Sequence, residues 1–205
     1  MVKKLKSISP LLIVAAGLIV LGLVIVIHYG RGAFNSYRAM EFAREHGFDA
    51  GNPNPDLIRP WMNIRYIAVA YAVPQEFLFA ELGIPMERRN SETPLYRLNQ
   101  EFGFGQSDQG PAIVTKVQDA ILKYRANPVT TGLREHGVRY WMSVQYIANS
   151  TGIPAEYIFE QIGLPMAGNA YLPLDRLSQE THYASGVRAL VEAIQRVVDT
   201  YKEAQ

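Results

Sequence analysis

The sequence predicts an all-α protein: an N-terminal single transmembrane helix followed by two tandem homologous four-helix modules. Three observations carry that prediction. Residues 11–27, LLIVAAGLIVLGLVIVI, form an unbroken apolar run behind a lysine cluster. Residues 59–86, RPWMNIRYIAVAYAVPQEFLFAELGIPM, return at 139–166 as RYWMSVQYIANSTGIPAEYIFEQIGLPM. In both copies apolar residues recur at three- and four-residue spacing, the period of an amphipathic helix, between proline starts and glycine stops.

The apolar run comes first. With its flanks at Ile8–Pro10 and His28–Tyr29 it is about 20 residues long, the length that spans a hydrocarbon core as a helix. A secretory signal peptide has a shorter apolar core and a small-x-small cleavage site. Here the run ends in IHYGRGAFNS, without that pattern, so an uncleaved anchor is expected over residues 1–30. Lys3, Lys4 and Lys6 crowd the N-terminal flank, whereas Arg31, Arg38 and Arg44 are dispersed along the other. Positive charge stays inside. The reading is a cell (inner) membrane protein with a cytoplasmic N-terminus and residues 30–205 outside, in contact with lipid through residues 8–29.

Residues 31–56 form a juxtamembrane helix and linker. Phe34, Tyr37 and Met40 share one helical side and Gly47 serves as a C-cap, after which DAGNPNPD ends the helix and marks a boundary. Module 1 is then expected over 57–127 and module 2 over 128–205. Residues 58–86 and 138–166 share 12 identities in 29 positions, including Trp61/Trp141, Pro74/Pro154, Gly83/Gly163 and Pro85/Pro165. TPLYRLNQEFG at 93–103 faces LPLDRLSQETH at 172–182, and IVTKVQDAILKY at 113–124 faces LVEAIQRVVDTY. The repeat is too long for a typical solenoid unit, so two small linked modules are expected.

Four helices are expected in each. Pro74 and Pro154 sit where a helix start tolerates a missing N–H, Gly83 and Gly163 cap its end, and Pro85 and Pro165 forbid continuation. Thr93 as N-cap with Pro94 behind it opens a third helix. A longer one closes each module near 111–125 and 186–203. No stretch alternates cleanly enough to predict a strand.

The spacing Ala148-x-x-x-Gly152-Ile153-Pro154, with Ile158 beyond, has the form of a helix-turn-helix: a small residue at the crossing and a glycine in the turn. Module 1 keeps the frame but places Ala72 at the glycine position, where a left-handed residue is less comfortable. A DNA reader needs basic or amide side chains on its second helix. QEFLFAELG and AEYIFEQIG each carry two glutamates and no lysine or arginine. Residues 31–205 hold 17 basic and 19 acidic side chains, so nucleic acid is not the expected partner.

Little in the chain points to catalysis. There is no cysteine, which removes disulfides, thiolate metal sites and a thiol nucleophile. His46 and His136 both occur in Arg-Glu-His-Gly, at 44–47 and 134–137, and read as helix ends; no H-x-x-x-H spacing supports a metal site. His28 closes the membrane segment and reads as an interfacial residue, with a haem ligand as the alternative. GFGQSDQG at 103–110 lacks the lysine and the preceding strand of a phosphate loop and reads as a connector. No catalytic residue, metal ligand, cofactor or small-molecule substrate is therefore expected.

The aromatic residues are mostly core material, yet some change between copies. Tyr71 becomes Thr151, Phe77 becomes Tyr157, and Arg65 becomes Gln145. Tyr71, Phe77, Arg65 and Tyr157 are accordingly the residues expected to dock a partner, as exposed aromatic and arginine side chains do.

At WMSVQYIANSTGIPAEYIFEQIGLP the chain resembles a small helical, helix-turn-helix-like repeat appended to bacterial membrane-tethered redox and cytochrome-like proteins. The pattern is Thr/Ser-hydrophobic-x-x-Ile-Ala, four residues, Ile-Pro, then Leu-Gly-Leu-Pro; module 1 departs from it at Ala72. The resemblance covers about residues 58–124 and 138–201, brings no established activity and transfers no catalytic residue. It implies a non-enzymatic accessory or scaffolding subunit that docks other membrane-protein subunits, in a respiratory or photosynthetic electron-transfer complex. The alternatives are a membrane-anchored helix-turn-helix regulator binding DNA, and an enzyme with a site between the modules.

Overall fold

The computed structural model describes Ile19 and residues 53–108, 110–133 and 137–203. The expected anchor (Ile19 apart), the juxtamembrane helix and both His46 and His136 lie outside the described residues. Among the described residues no helix is long and apolar enough to cross a membrane. Both copies of the repeat fall within one compact unit, His46–Gln205.

That unit is mostly helical, as expected. The first copy contains α1 (Ile64–Ala70), α2 (Gln75–Leu82), α3 (Arg88–Glu92), α4 (Leu95–Glu101) and α5 (Ala112–Ala126). The second contains α6 (Val144–Thr151), α7 (Ala155–Ile162), α8 (Leu174–Glu180) and α9 (Gly186–Glu203). Four helices describe the second copy, but the first has a fifth, the single turn α3. Where α3 stands, the second copy runs from Met166 to Leu172 without a helix and is one residue shorter. A short antiparallel pair, β1 (Gln106–Ser107) with β2 (Gly110–Pro111), folds the connector between α4 and α5, an element that its lack of alternation hid.

The two copies repeat their hydrogen bonds as well as their helices. The Asn63 side chain caps α1 by accepting from Tyr66 N–H, and Ser143 does the same for Tyr146 at the start of α6. Leu95 N–H donates to Met62 O and Leu174 N–H to Met142 O, both at 2.8 Å. Asn90 Nδ2 donates to Pro85 O, and Asn169 Nδ2 to Pro165 O. The Leu95 and Leu174 bonds tie the start of each copy to the first residue of its third conserved helix.

Pro74 and Pro154 precede α2 and α7 as N-caps, and Gly83 and Gly163 end those helices in the left-handed conformation at φ +67° and +69°. The third helix departs from expectation. It starts at Leu95 with Pro94 as its cap, because Thr93 already ends α3 and donates its hydroxyl to Arg89 O.

In the first copy α2 packs chiefly on α5, which also carries α4; in the second, α9 carries both α7 and α8. Ile64, Ile67, Leu78, Leu95, Leu98, Ile113, Val117 and Ile121 are fully buried in the first core, and Val144, Ile147, Ile158, Leu174, Leu177, Leu190 and Ile194 in the second. Each buried side chain of this size contributes on the order of 2 kcal/mol, so the apolar periodicity alone secures the helical frame.

The segment expected as a linker before the first copy is pinned rather than free from Pro53 onward. Pro53 and Pro55 are buried. Arg125 donates to Pro53 O, Gln118 to Pro55 O and the Tyr71 hydroxyl to Asn54 O.

Candidate functional site

Among the described residues, the junction between the copies and a groove of arginines on the first copy combine polar chemistry with open surface.

The junction joins the α1–α2 turn to α6. Ala72 takes the left-handed conformation at φ +50° despite its Cβ, matching Gly152 at φ +78°. A left-handed alanine costs about 1 kcal/mol. One local and one tertiary bond hold it there: Val73 N–H donates to Ala68 O across the helix end, and Asn149 of α6 donates its amide to Ala72 O at 2.6 Å. Asn149 Oδ1 in turn accepts from Gln145 Nε2. Beside it, the Tyr146 hydroxyl accepts from Gln75 N–H at 3.3 Å, satisfying a donor at the start of α2. Burial pushes the Tyr146 phenol far above its ordinary pKa, and the nearby Glu76 carboxylate adds to the rise.

Next to the junction lies an open cleft of about 340 Å³ between Pro128–Thr130 and the α6–α7 turn, with Tyr124 and Glu156 on its walls. Its lining holds one carboxylate and no imidazole or amine among the described residues.

The groove is lined by Arg88, Arg89, Glu92, Thr93, Pro94 and Arg97 and encloses about 480 Å³. Glu92 Oε1 accepts from Arg65 at 2.9 Å and from Arg88 at 3.2 Å. Partial burial works against the Glu92 carboxylate, but the Arg88 hydrogen bond and the Arg65 charge outweigh it and hold its pKa below the ordinary range. Arg89 makes a two-pronged pair with Glu101, at 2.8 and 2.9 Å. Arg97 bonds the Tyr96 hydroxyl and stacks on that ring at 5.9 Å.

The four expected docking residues are not brought together. Tyr71 is 4% exposed and lies in the core, its hydroxyl on Asn54 O and its ring under Arg125; its change to Thr151 reflects the pinned segment before α1, not a free surface. Phe77 is half-buried edge-on against Tyr124, and Tyr157 against Tyr201. Arg65 is spent internally, between Glu92 and the Trp141 ring of the second copy at 5.2 Å. The residues that were missed are Arg88, Arg89 and Arg97. The signal available was the extra residue in ERRN relative to AGN, charged on one side and neutral on the other.

His182 is exposed, and no group of three or more metal-binding side chains occurs among the described residues. Comparison with known protein families, with characterised proteins and with solved structures returned no match.

Proposed function

We propose that this protein is a membrane-anchored, non-enzymatic docking subunit, held in the inner membrane through residues 8–29 with residues 30–205 outside the cytoplasm. The observation that carries this reading is a repeated frame with unequal surfaces. The caps, cross-ties and left-handed turns recur in both copies, whereas α3 and its arginines belong to the first alone. A frame kept twice while one face diverges suits a scaffold whose copies meet different surfaces. Linking two weak docking faces raises the effective concentration of each for its target. The resemblance to repeats on membrane redox proteins makes an electron-transfer complex the setting.

The surface of the second helices opposes the DNA-binding alternative. On α7 the exposed residues include Glu156 and Glu160, whereas the exposed Glu81 of α2 is paired with Lys123. Carboxylates there would repel phosphates. The test is extraction in mild detergent followed by identification of co-purifying proteins. A stoichiometric membrane-protein partner supports the reading; migration as a lone monomer under those conditions overturns it.

A further inference from the structure

We propose that the arginine groove of the first copy is a binding site for an extended, carboxylate-rich segment of a partner protein. The inference rests on the docking reading above and names the chemistry of one docked partner.

The first argument is that the arginines are not needed for the fold. The structural task of this loop is the Asn90 bond to Pro85 O, and Asn169 performs it identically in the second copy on Pro165 O. The residues ahead of Asn90 are Glu87, Arg88 and Arg89; those ahead of Asn169 are Ala167 and Gly168. The side chains of Arg88 and Arg89 are 86% and 69% exposed, so neither contributes appreciable packing.

The second argument is charge. Arg65, Arg88, Arg89 and Arg97 share two carboxylates, Glu92 and Glu101. Arg65 and Arg88 fall on the same Glu92 oxygen, and Arg97 pairs with no carboxylate among the described residues. The exposed carboxylate of Glu87 adjoins Arg88 in sequence, so one guanidinium charge is left over, on a chain whose residues 31–205 are slightly acidic.

The third argument is geometry. Guanidinium forks match carboxylates in two-pronged pairs, and the groove already displays that pairing in Arg89–Glu101. The arginines line an open groove instead of closing around a point. The open groove leaves room along it for a chain, whose successive carboxylates can meet Arg88, Arg97 and the exposed side of Arg89 together. The partner is thus an acidic, extended protein segment.

The test is nuclear magnetic resonance of the full chain in a neutral detergent, observing arginine Nε–H signals during titration with a short polyglutamate peptide. Polyglutamine, inorganic phosphate and bicelles containing phosphatidylglycerol are titrated in parallel. The expected result is saturating shifts at Arg88, Arg89 and Arg97 with polyglutamate and none with polyglutamine. Those shifts should vanish at about 1 M NaCl, where charges are screened within about 3 Å. The double variant R88Q/R97Q, altered at two exposed positions, should keep its amide spectrum elsewhere and bind about tenfold more weakly or worse, a loss of about 1.4 kcal/mol or more. Absence of groove shifts overturns the proposal. Shifts with phosphate alone, or with the anionic bicelles alone, overturn it in favour of a small-anion or lipid site. Its fate is separable from that of the docking reading. A co-purified complex that survives R88Q/R97Q sinks the groove and leaves the subunit, while groove binding in a chain without partners does the reverse.

Discussion

Asn149 of the second copy donates its side-chain amide to the backbone carbonyl of Ala72 in the first, at 2.6 Å. The contact links the left-handed Ala72 turn of the first copy to the first helix of the second, at the position where the first copy has Val69. It accounts for a left-handed alanine that local propensity disfavours.

Asn149→Ala should therefore loosen the junction. The carbonyl of Ala72, itself 2% exposed, loses its donor, and a buried polar group without a partner costs about 1–3 kcal/mol. Urea denaturation should show a lower midpoint with little change in slope. An unchanged midpoint would mean that the bond contributes nothing net.

The turn residues make a matched pair of predictions. Gly152→Ala places a Cβ at φ +78° and 3.2 Å from Thr130 Cγ2, and should cost about 1–2 kcal/mol. Ala72→Gly relieves about 1 kcal/mol of left-handed strain but loses a buried methyl worth about 0.8 kcal/mol, so stability should move by less than about 0.5 kcal/mol. Thermal denaturation of both variants checks the contrast.

Gly163→Ala isolates the backbone term. Its φ is +69° and a new Cβ would meet no atom within 4 Å. A cost of about 1 kcal/mol is expected from conformation alone, read as a fall in the urea midpoint; Gly163→Asn, which tolerates the left-handed region, should cost less.

Alkaline pH should destabilise the protein through Tyr71 and Tyr146. Burial is the leading cause of both raised pKa values, from an ordinary 10.0. The folded state thus keeps protons that the unfolded chain releases. The stability these phenols contribute is complete below pH 10 and declines as the pH rises above it. Part of the phenolate absorbance should therefore appear only on unfolding, and Tyr71→Phe should flatten the loss of stability with pH. Tyr71→Phe also gives up the bond to Asn54 O, so its unfolding free energy at neutral pH should fall by about 1 kcal/mol.

The periodicity of Ile64, Ile67, Leu78 and Leu82, and of their counterparts Val144, Ile147, Ile158 and Ile162, was enough to read the helices, because burying one apolar stripe is a local pattern with a large energy. The prolines and glycines marked their ends for equally local reasons: a missing N–H and a left-handed backbone. Helix α3 was not legible, since Arg88–Glu92 has no apolar period and owes its single turn to its place between Pro85 and Pro94. Tyr71 was misread for a related reason. Its burial comes from Asn54 and Arg125, far away in sequence, and no comparison with Thr151 could reveal that.

The sequence by itself determined a mostly helical body, a frame built twice, and most of the turns and caps of each copy. The tertiary structure decided how the copies meet and which differences between them face solvent. Asn149 strains and secures Ala72, Arg65 is drawn inward to Glu92 and Trp141, and Arg88, Arg89 and Arg97 are left at the surface with more positive charge than their neighbours neutralise. The division follows from range. Helix periodicity and backbone conformation are set within a few residues, whereas burial and charge balance depend on side chains that only folding brings together.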